Sequence, residues 1–154
     1  MSEGENPGPL AEFPDLVLPD NRHGARQLAL QALYWEASSP GDGPPALQEL
    51  GQQAGLSALT LEFATTLVET VGQHHDELNQ LIDAAANHWR QDRIARIDGI
   101  ILRLALAETI HCGTPARIAI DEAIELAKAY SSAKAYVFVN GVLDAIARQQ
   151  GLPL

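Results

Sequence analysis

The spacing of apolar residues constrains this chain most, because such residues recur every three or four positions through most of residues 25–147. In the C-terminal half, one long helical face is made by Ile94, Ile97, Ile101, Leu104 and Ala105. No valine- or threonine-rich run alternates apolar and polar residues, the pattern typical of a half-buried strand. The sequence therefore predicts an all-α fold, a bundle of six or seven helices.

Glycines and prolines divide the apolar pattern into separate helices. The first helical spacing begins at Ala25 and stops at residues 38–45 (SSPGDGPP), because prolines and glycines there are incompatible with continuous helix. The next three helices are predicted over residues 46–54, 63–72 and 78–89.

Helix starts in the C-terminal half are predicted from capping residues. Gly113 ends the long helix, and Thr114 is expected to be the N-cap of the next one, with Pro115 at its first helical position. Ser131 or Ser132 is expected to cap a last helix that carries an apolar face ending at Ala147.

Charge and proline content set residues 1–21 apart from the rest. This segment has five acidic residues, four prolines and no lysine or arginine, a composition typical of disorder. We therefore expect a disordered acidic tail, followed by one helical domain over residues 22–150.

The net charge of −10 argues, taken alone, against nucleic-acid binding, since phosphate is repelled by an acidic surface. Without the tail, however, the charge falls to about −5. The first basic residues then occur close together, at Arg22, His23 and Arg26.

The common catalytic and cofactor motifs are absent from the sequence. There is no GxxxxGK, GxGxxG, GxSxG or HExxH, so we predict no enzyme activity and no cofactor. Cys112 is the single cysteine, which excludes an internal disulfide and a cysteine-rich zinc site. A buried or half-buried thiol is expected. Neither a signal peptide nor a membrane-spanning run is present, so a cytosolic location is expected.

Four residues are candidate metal ligands by type: His74, His75, Glu108 and His111. His74 and His75 are neighbours that point about 100° apart on a helix, so they cannot bind one metal by themselves. Glu108 and His111 form a single ExxH, whereas a di-iron bundle needs two, so a solvated helix face is expected. A small metalloenzyme that uses the histidines remains an alternative of another class.

Two long motifs in order give the sequence a family resemblance. They are residues 119–128 (AIDEAIELAK) and residues 138–144 (FVNGVLD), and shorter matches occur in residues 25–34, in residues 89–108 and at Pro115. Over residues 22–148 the chain resembles the NusB family of bacterial transcription antitermination factors.

The resemblance implies an all-helical fold of two packed sub-bundles and a non-catalytic function. Family members bind the boxA element of nascent RNA together with NusE, a small-subunit ribosomal protein. The pair joins the RNA polymerase elongation complex and promotes transcription of ribosomal RNA operons.

The resemblance also assigns roles to individual residues. Expected RNA-binding residues are Arg22, His23, Arg26, Lys134 and Phe138. The guanidinium group of arginine can donate two parallel hydrogen bonds to a phosphate. Stacking of a base on an aromatic side chain contributes about 1–3 kcal/mol to the binding free energy. Expected NusE-binding residues are Tyr34, Asp98 and Glu108.

Two departures from the family pattern weaken the RNA-binding prediction. The family's longer arginine run is interrupted here by His23 and Gly24, and Val137 occupies a position that is often basic. We therefore expect weak RNA binding by the isolated protein and a contribution to affinity from NusE. The alternative is a protein–protein interaction module of the same fold with weak or no RNA binding.

Overall fold

The computed structural model describes residues 17–86 and 94–153, and this part of the chain contains seven α-helices and no strand. The helices are α1 (Arg22–Ser38), α2 (Gly43–Gln53), α3 (Ala58–Gln73), α4 (His75–Ala86), α5 (Arg96–His111), α6 (Ala116–Tyr130) and α7 (Ala135–Gln149). The all-α prediction is confirmed. Most of the acidic tail and the predicted helix end at Trp89 lie outside the described residues.

None of the helices in the described ranges has the length and apolar character needed to cross a membrane.

The N-terminal compact unit extends to Thr65 and is built on the packing of α2 against α1. The buried face of α1 includes Leu28 and Ala32, neither of which is exposed. Gly51 of α2 lies where an added Cβ would be 2.1 Å from Leu61 Cδ2, so a larger residue there requires the Leu61 side chain to move.

The turn between α1 and α2 is held by Glu36. One carboxylate oxygen accepts a hydrogen bond from Gly41 N and the other from Gly43 N, both at 2.9 Å. Gly43 is the first residue of α2, and Pro44 and Pro45 that follow have no N–H to satisfy. The helix therefore begins at Gly43, three residues before the predicted start, because prolines are tolerated in a first turn.

The C-terminal compact unit begins at Thr66 and is arranged around α5, which packs against α4, α6 and α7. Ten of the eleven residues from position 98 to position 108 of this helix are buried, including Ile101 and Leu106, and the exception is Arg103. From α7, Leu143 and Ile146 complete the core. Burying each such side chain contributes about 1.5–3 kcal/mol.

The predicted caps in this unit are wrong. Helix α6 begins at Ala116 with Pro115, not Thr114, in the N-cap position, and no side chain caps it. Helix α7 follows Lys134 as N-cap, so neither Ser131 nor Ser132 caps it. Ser131 is instead the C-cap of α6, and its hydroxyl donates to a carboxylate of α5.

Candidate functional site

The start of α1 is shaped by Asn21 and Gly24. Asn21 has extended backbone angles, and its side-chain oxygen accepts a hydrogen bond from Gly24 N at 2.9 Å. The helix therefore begins at Arg22 rather than at the predicted Ala25, and this N-cap was missed although asparagine is a strong capping residue. A Cβ at Gly24 would lie 1.7 Å from Pro19 O, so the preceding backbone folds directly against the first turn.

Asp20 ties this preceding segment to the start of α3. Its Oδ1 accepts hydrogen bonds from Thr60 Oγ1 at 2.5 Å, from Ser57 N at 2.9 Å and from Ser57 Oγ at 3.0 Å. These bonds, that from Thr60 foremost, lower the pKa of the Asp20 carboxyl. The negative charge next to the arginines is thus engaged in fixing the chain that leads into α1.

Two arginines of α1 share one aromatic ring of α3. The Cζ of Arg22 lies 4.3 Å from the centroid of Phe63, and that of Arg26 lies 5.6 Å from it. Arg22 is exposed, whereas Arg26 is only 7% exposed. Guanidinium groups at these distances are attracted by the ring quadrupole. We call Arg22, His23, Arg26 and Phe63 the α1 surface, where Arg22 is the arginine open to solvent.

Sequence reasoning placed both arginines on one side of the first helix, and the shared ring confirms this. It missed Phe63, which the apolar spacing assigned to a core stripe. Phe63 is half-buried, and only the packing of α3 beside α1 brings it to the cations.

A second group of cationic and aromatic side chains lies around the start of α7. Lys134 is exposed as its N-cap, and Phe138 is half-buried in its first turn. Tyr136 is exposed, and Lys128 Nζ lies 5.0 Å from its ring centroid. We call Lys128, Lys134, Tyr136 and Phe138 the α7 surface. The Lys128–Tyr136 pair was missed because it joins α6 to α7.

The residues expected to bind a protein partner differ in exposure. Tyr34 is half-buried on α1, one turn before the helix ends. Asp98 is 8% exposed, and its Oδ1 accepts a hydrogen bond from Ser131 Oγ at 2.5 Å. Glu108 is 2% exposed, so its interpretation as part of a solvated helix face is wrong: α5 is the central helix of its unit.

Cys112, the C-cap of α5, is half-buried as predicted. Its Sγ lies 4.0 Å from Thr70 Oγ1.

The fold defines the class as a small all-α protein with a basic helix start on α1 and aromatic residues around the start of α7. The chain belongs to the NusB family, whose model matches residues 23–148.

Sequence similarity to NusB proteins of other bacteria supports this assignment. The transcription antitermination protein NusB of Anaeromyxobacter dehalogenans (strain 2CP-1 / ATCC BAA-258) is 37% identical over 137 residues, which are 88% of this chain and 95% of the relative. The protein of the same name from Symbiobacterium thermophilum is 38% identical over 137 residues, covering 83% of this chain and 90% of the relative. These names denote transcription factors rather than enzymes.

Solved structures support the same fold. NusB of T. maritima is 28% identical with a TM-score of 0.76, over 84% of this chain and 92% of that chain. A chain from a crystal structure of the antitermination factors NusB and NusE in complex with double-stranded RNA is 28% identical with a TM-score of 0.74. It covers 83% of this chain and 96% of its own.

Proposed function

We propose that this protein is a non-catalytic transcription antitermination factor that binds boxA RNA together with NusE and joins the RNA polymerase elongation complex. Such a role places it in the bacterial cytoplasm, promoting transcription of ribosomal RNA operons. Family membership and the similar chain in a NusB–NusE–RNA crystal structure support the proposal. The proposed functional domain spans residues 22–150, preceded by an acidic tail over residues 1–21.

The exposed guanidinium of Arg22, whose Cζ lies 4.3 Å from the centroid of the Phe63 ring, is the observation that carries the proposal. An exposed guanidinium can donate two parallel hydrogen bonds to phosphate, and a cation–π contact with the ring uses none of its N–H donors. The N-terminus of α1 adds the positive end of the helix dipole at the same place. Arg26 is mostly buried, so we expect it to add positive charge near the phosphate without donating hydrogen bonds to it.

The α7 surface is suited to bind an RNA base, because it contains aromatic side chains on which a base can stack. Phe138 provides an aromatic ring for stacking, and the exposed cation Lys134 lies four positions before it, at the N-cap of the same helix. Stacking contributes about 1–3 kcal/mol per base and tolerates different sequences. We therefore assign phosphate contacts to the α1 surface and base contacts to the α7 surface.

For NusE, the proposed direct contact is Tyr34, because it keeps solvent exposure. Asp98 and Glu108 are buried, so we assign them an indirect role in the packing of α5 within its own unit. A basic ribosomal protein would also offset the repulsion between RNA and a chain with a net charge of −10.

The proposal is tested by fluorescence anisotropy with labelled boxA RNA, single-stranded and double-stranded, with and without NusE at several salt concentrations. The two exposed cations, Arg22 and Lys134, predict a slope of log affinity against log salt of about −1.4. Affinity should rise when NusE is present. Equal affinity with and without NusE would contradict the proposed cooperation.

Point variants locate the RNA on the surface. Arg22→Ala should weaken binding about tenfold, equivalent to roughly 1.4 kcal/mol, and reduce the salt slope by about 0.7. Arg117→Ala is the matched control, because Arg117 is also exposed and its loss changes the net charge equally. If both variants lose the same affinity, the α1 surface is not the RNA site.

The burial of Arg26 favours a second candidate function, a protein–protein module that has lost RNA binding. This candidate predicts that the chain binds NusE with full affinity, while boxA RNA shows no salt-dependent binding even at low salt. RNA binding that depends on Arg22 would exclude it.

A further inference from the structure

Three potential metal ligands meet in the C-terminal unit, where α4 begins and α5 ends. They are His74, the residue between α3 and α4; Glu77, in the first turn of α4; and His111, the last residue of α5. One ligand atom from each lies within 4.8 Å of the other two. The two imidazole rings are stacked, with centroids 3.5 Å apart and an angle of 13° between their planes.

The Glu77 carboxylate faces both rings. Its Oε1 lies 2.9 Å from His111 Nε2, and its Oε2 lies 3.5 Å from His74 Nδ1. Ligand atoms about 2.1 Å from a tetrahedral zinc ion are separated by about 3.4 Å, and the observed separations fall on either side of this value. Metals bind imidazole in the plane of its ring, so an ion between the three groups also requires at least one of the two stacked rings to rotate until both nitrogens point at it.

We propose that His74, Glu77 and His111 form a surface binding site for a divalent transition-metal ion such as Zn²⁺. Two imidazoles and one carboxylate are nitrogen and oxygen donors that zinc binds, whereas Ca²⁺ and Mg²⁺ prefer oxygen ligands alone. The site is independent of the RNA-binding role proposed above.

The exposure of the ligands allows the site to be filled from solution. The side chains of His74, Glu77 and His111 are 34%, 48% and 22% exposed, so an ion can enter and water can complete its coordination. The ion links the start of α4 to the end of α5, and its effect is to stabilise the packing of these two helices.

The neighbouring His75 provides an internal comparison. It is adjacent to His74 in sequence, but its Nδ1 lies 3.3 Å from Asn79 Nδ2 and 3.7 Å from Asp76 Oδ1. It is not part of the three-ligand group. The sequence prediction that the two neighbouring histidines do not bind one metal together is consistent with this, but the pairing of His74 with His111, 37 positions away, has no local signal in the sequence.

The test is calorimetric titration of the full chain with ZnCl₂ at about pH 7.5, where free imidazole is largely neutral. We expect one Zn²⁺ per chain and a rise in the unfolding temperature that EDTA removes. Replacing zinc with Co²⁺ gives a visible absorption spectrum that reports the ligand set directly. Affinity should fall as the pH is lowered, because imidazole binds metal only when it is neutral.

Variants separate this site from adventitious binding. His111→Ala and Glu77→Gln should each weaken Zn²⁺ binding at least tenfold, whereas His75→Ala should stay within twofold of the unaltered chain. Circular dichroism verifies folding, and His111→Gln replaces His111→Ala if the alanine variant unfolds. No binding, or equal loss in His75→Ala and the ligand variants, would overturn the proposal.

Discussion

The guanidinium carbon of Arg22 lies 4.3 Å from the centroid of the Phe63 ring, so an exposed cation at the start of α1 rests on an aromatic side chain of α3. Residues 41 positions apart thus form one unit of the α1 surface. The ring limits the conformations of a side chain that is otherwise free in solvent, which reduces the entropy that a phosphate contact would cost.

Removing the ring tests this support. Phe63→Ala should weaken boxA RNA binding about two- to fivefold, because a cation–π contact at an exposed site is worth about 0.5–1 kcal/mol. Phe63→Tyr keeps an aromatic face and should retain the affinity. The measurement is RNA anisotropy on both variants; equal losses would show that the ring does not support Arg22.

Gly24 is expected to tolerate no side chain. Gly24→Ala places a Cβ 1.7 Å from Pro19 O, so the backbone has to shift, and we expect a loss of about 1–3 kcal/mol in the free energy of unfolding. Gly72→Ala is the control, because nothing lies within 4 Å of its added Cβ and alanine favours helix. Urea denaturation compares the two; a Gly24→Ala protein as stable as the parent would disprove the close contact.

The buried carboxylate of Asp98 is expected to act through Ser131. Asp98→Ala should destabilise the protein by about 1–3 kcal/mol, since the Ser131 hydroxyl loses its acceptor. Asp98→Asn keeps an acceptor oxygen and should recover most of this stability. The exposed Asp121→Ala is a control with the same charge change.

The same variant decides between an indirect and a direct role in partner binding. If Asp98→Asn is stable but has lost NusE binding, Asp98 contacts the partner directly. Retained binding supports the positioning role that its burial indicates.

The hydrogen bonds to Asp20 predict a specific dependence of stability on pH. Because they hold its folded-state pKa below the ordinary value of 3.8, Asp20 adds stability above that value. The contribution disappears as the pH falls through the lowered pKa. Asp20→Ala should therefore destabilise the protein more at pH 7 than at about pH 3 in urea titrations. Asp83→Ala, which removes an exposed carboxylate on α4, should show no such difference.

Much of the fold followed from the sequence because the period of apolar residues is a local property. Positions such as Ile101, Val139 and Ile146 were placed on buried helix faces, and all three are buried. Helix starts were less predictable, since Ser131 has the chemistry of an N-cap but is occupied by a hydrogen bond to Asp98. The competing partner is 33 positions away in sequence and invisible to a local pattern.

The candidate site was predictable only where one helix carries it. Arg22 and Arg26 lie four positions apart, and this spacing alone placed them together. Phe63 contacts Arg22 of another helix, and His111 lies near His74 and Glu77 at the start of another helix. The local sequence around Phe63 or His111 does not predict these contacts. Burial of Asp98 and Glu108 likewise depends on the central position of α5.

The close approach of Gly24 to Pro19 O has a consequence for how binding strength can evolve in this protein. Position 24 has no room for a side chain, and Ala25 beside it is completely buried, so neither can accept an arginine. Between the two arginines, His23 is therefore the one position where a substitution to arginine could strengthen RNA binding, whether it arises naturally or by laboratory selection. The backbone of Pro19 thus limits how many arginines the start of α1 can carry. A longer arginine run would require the residues before α1 to pack elsewhere.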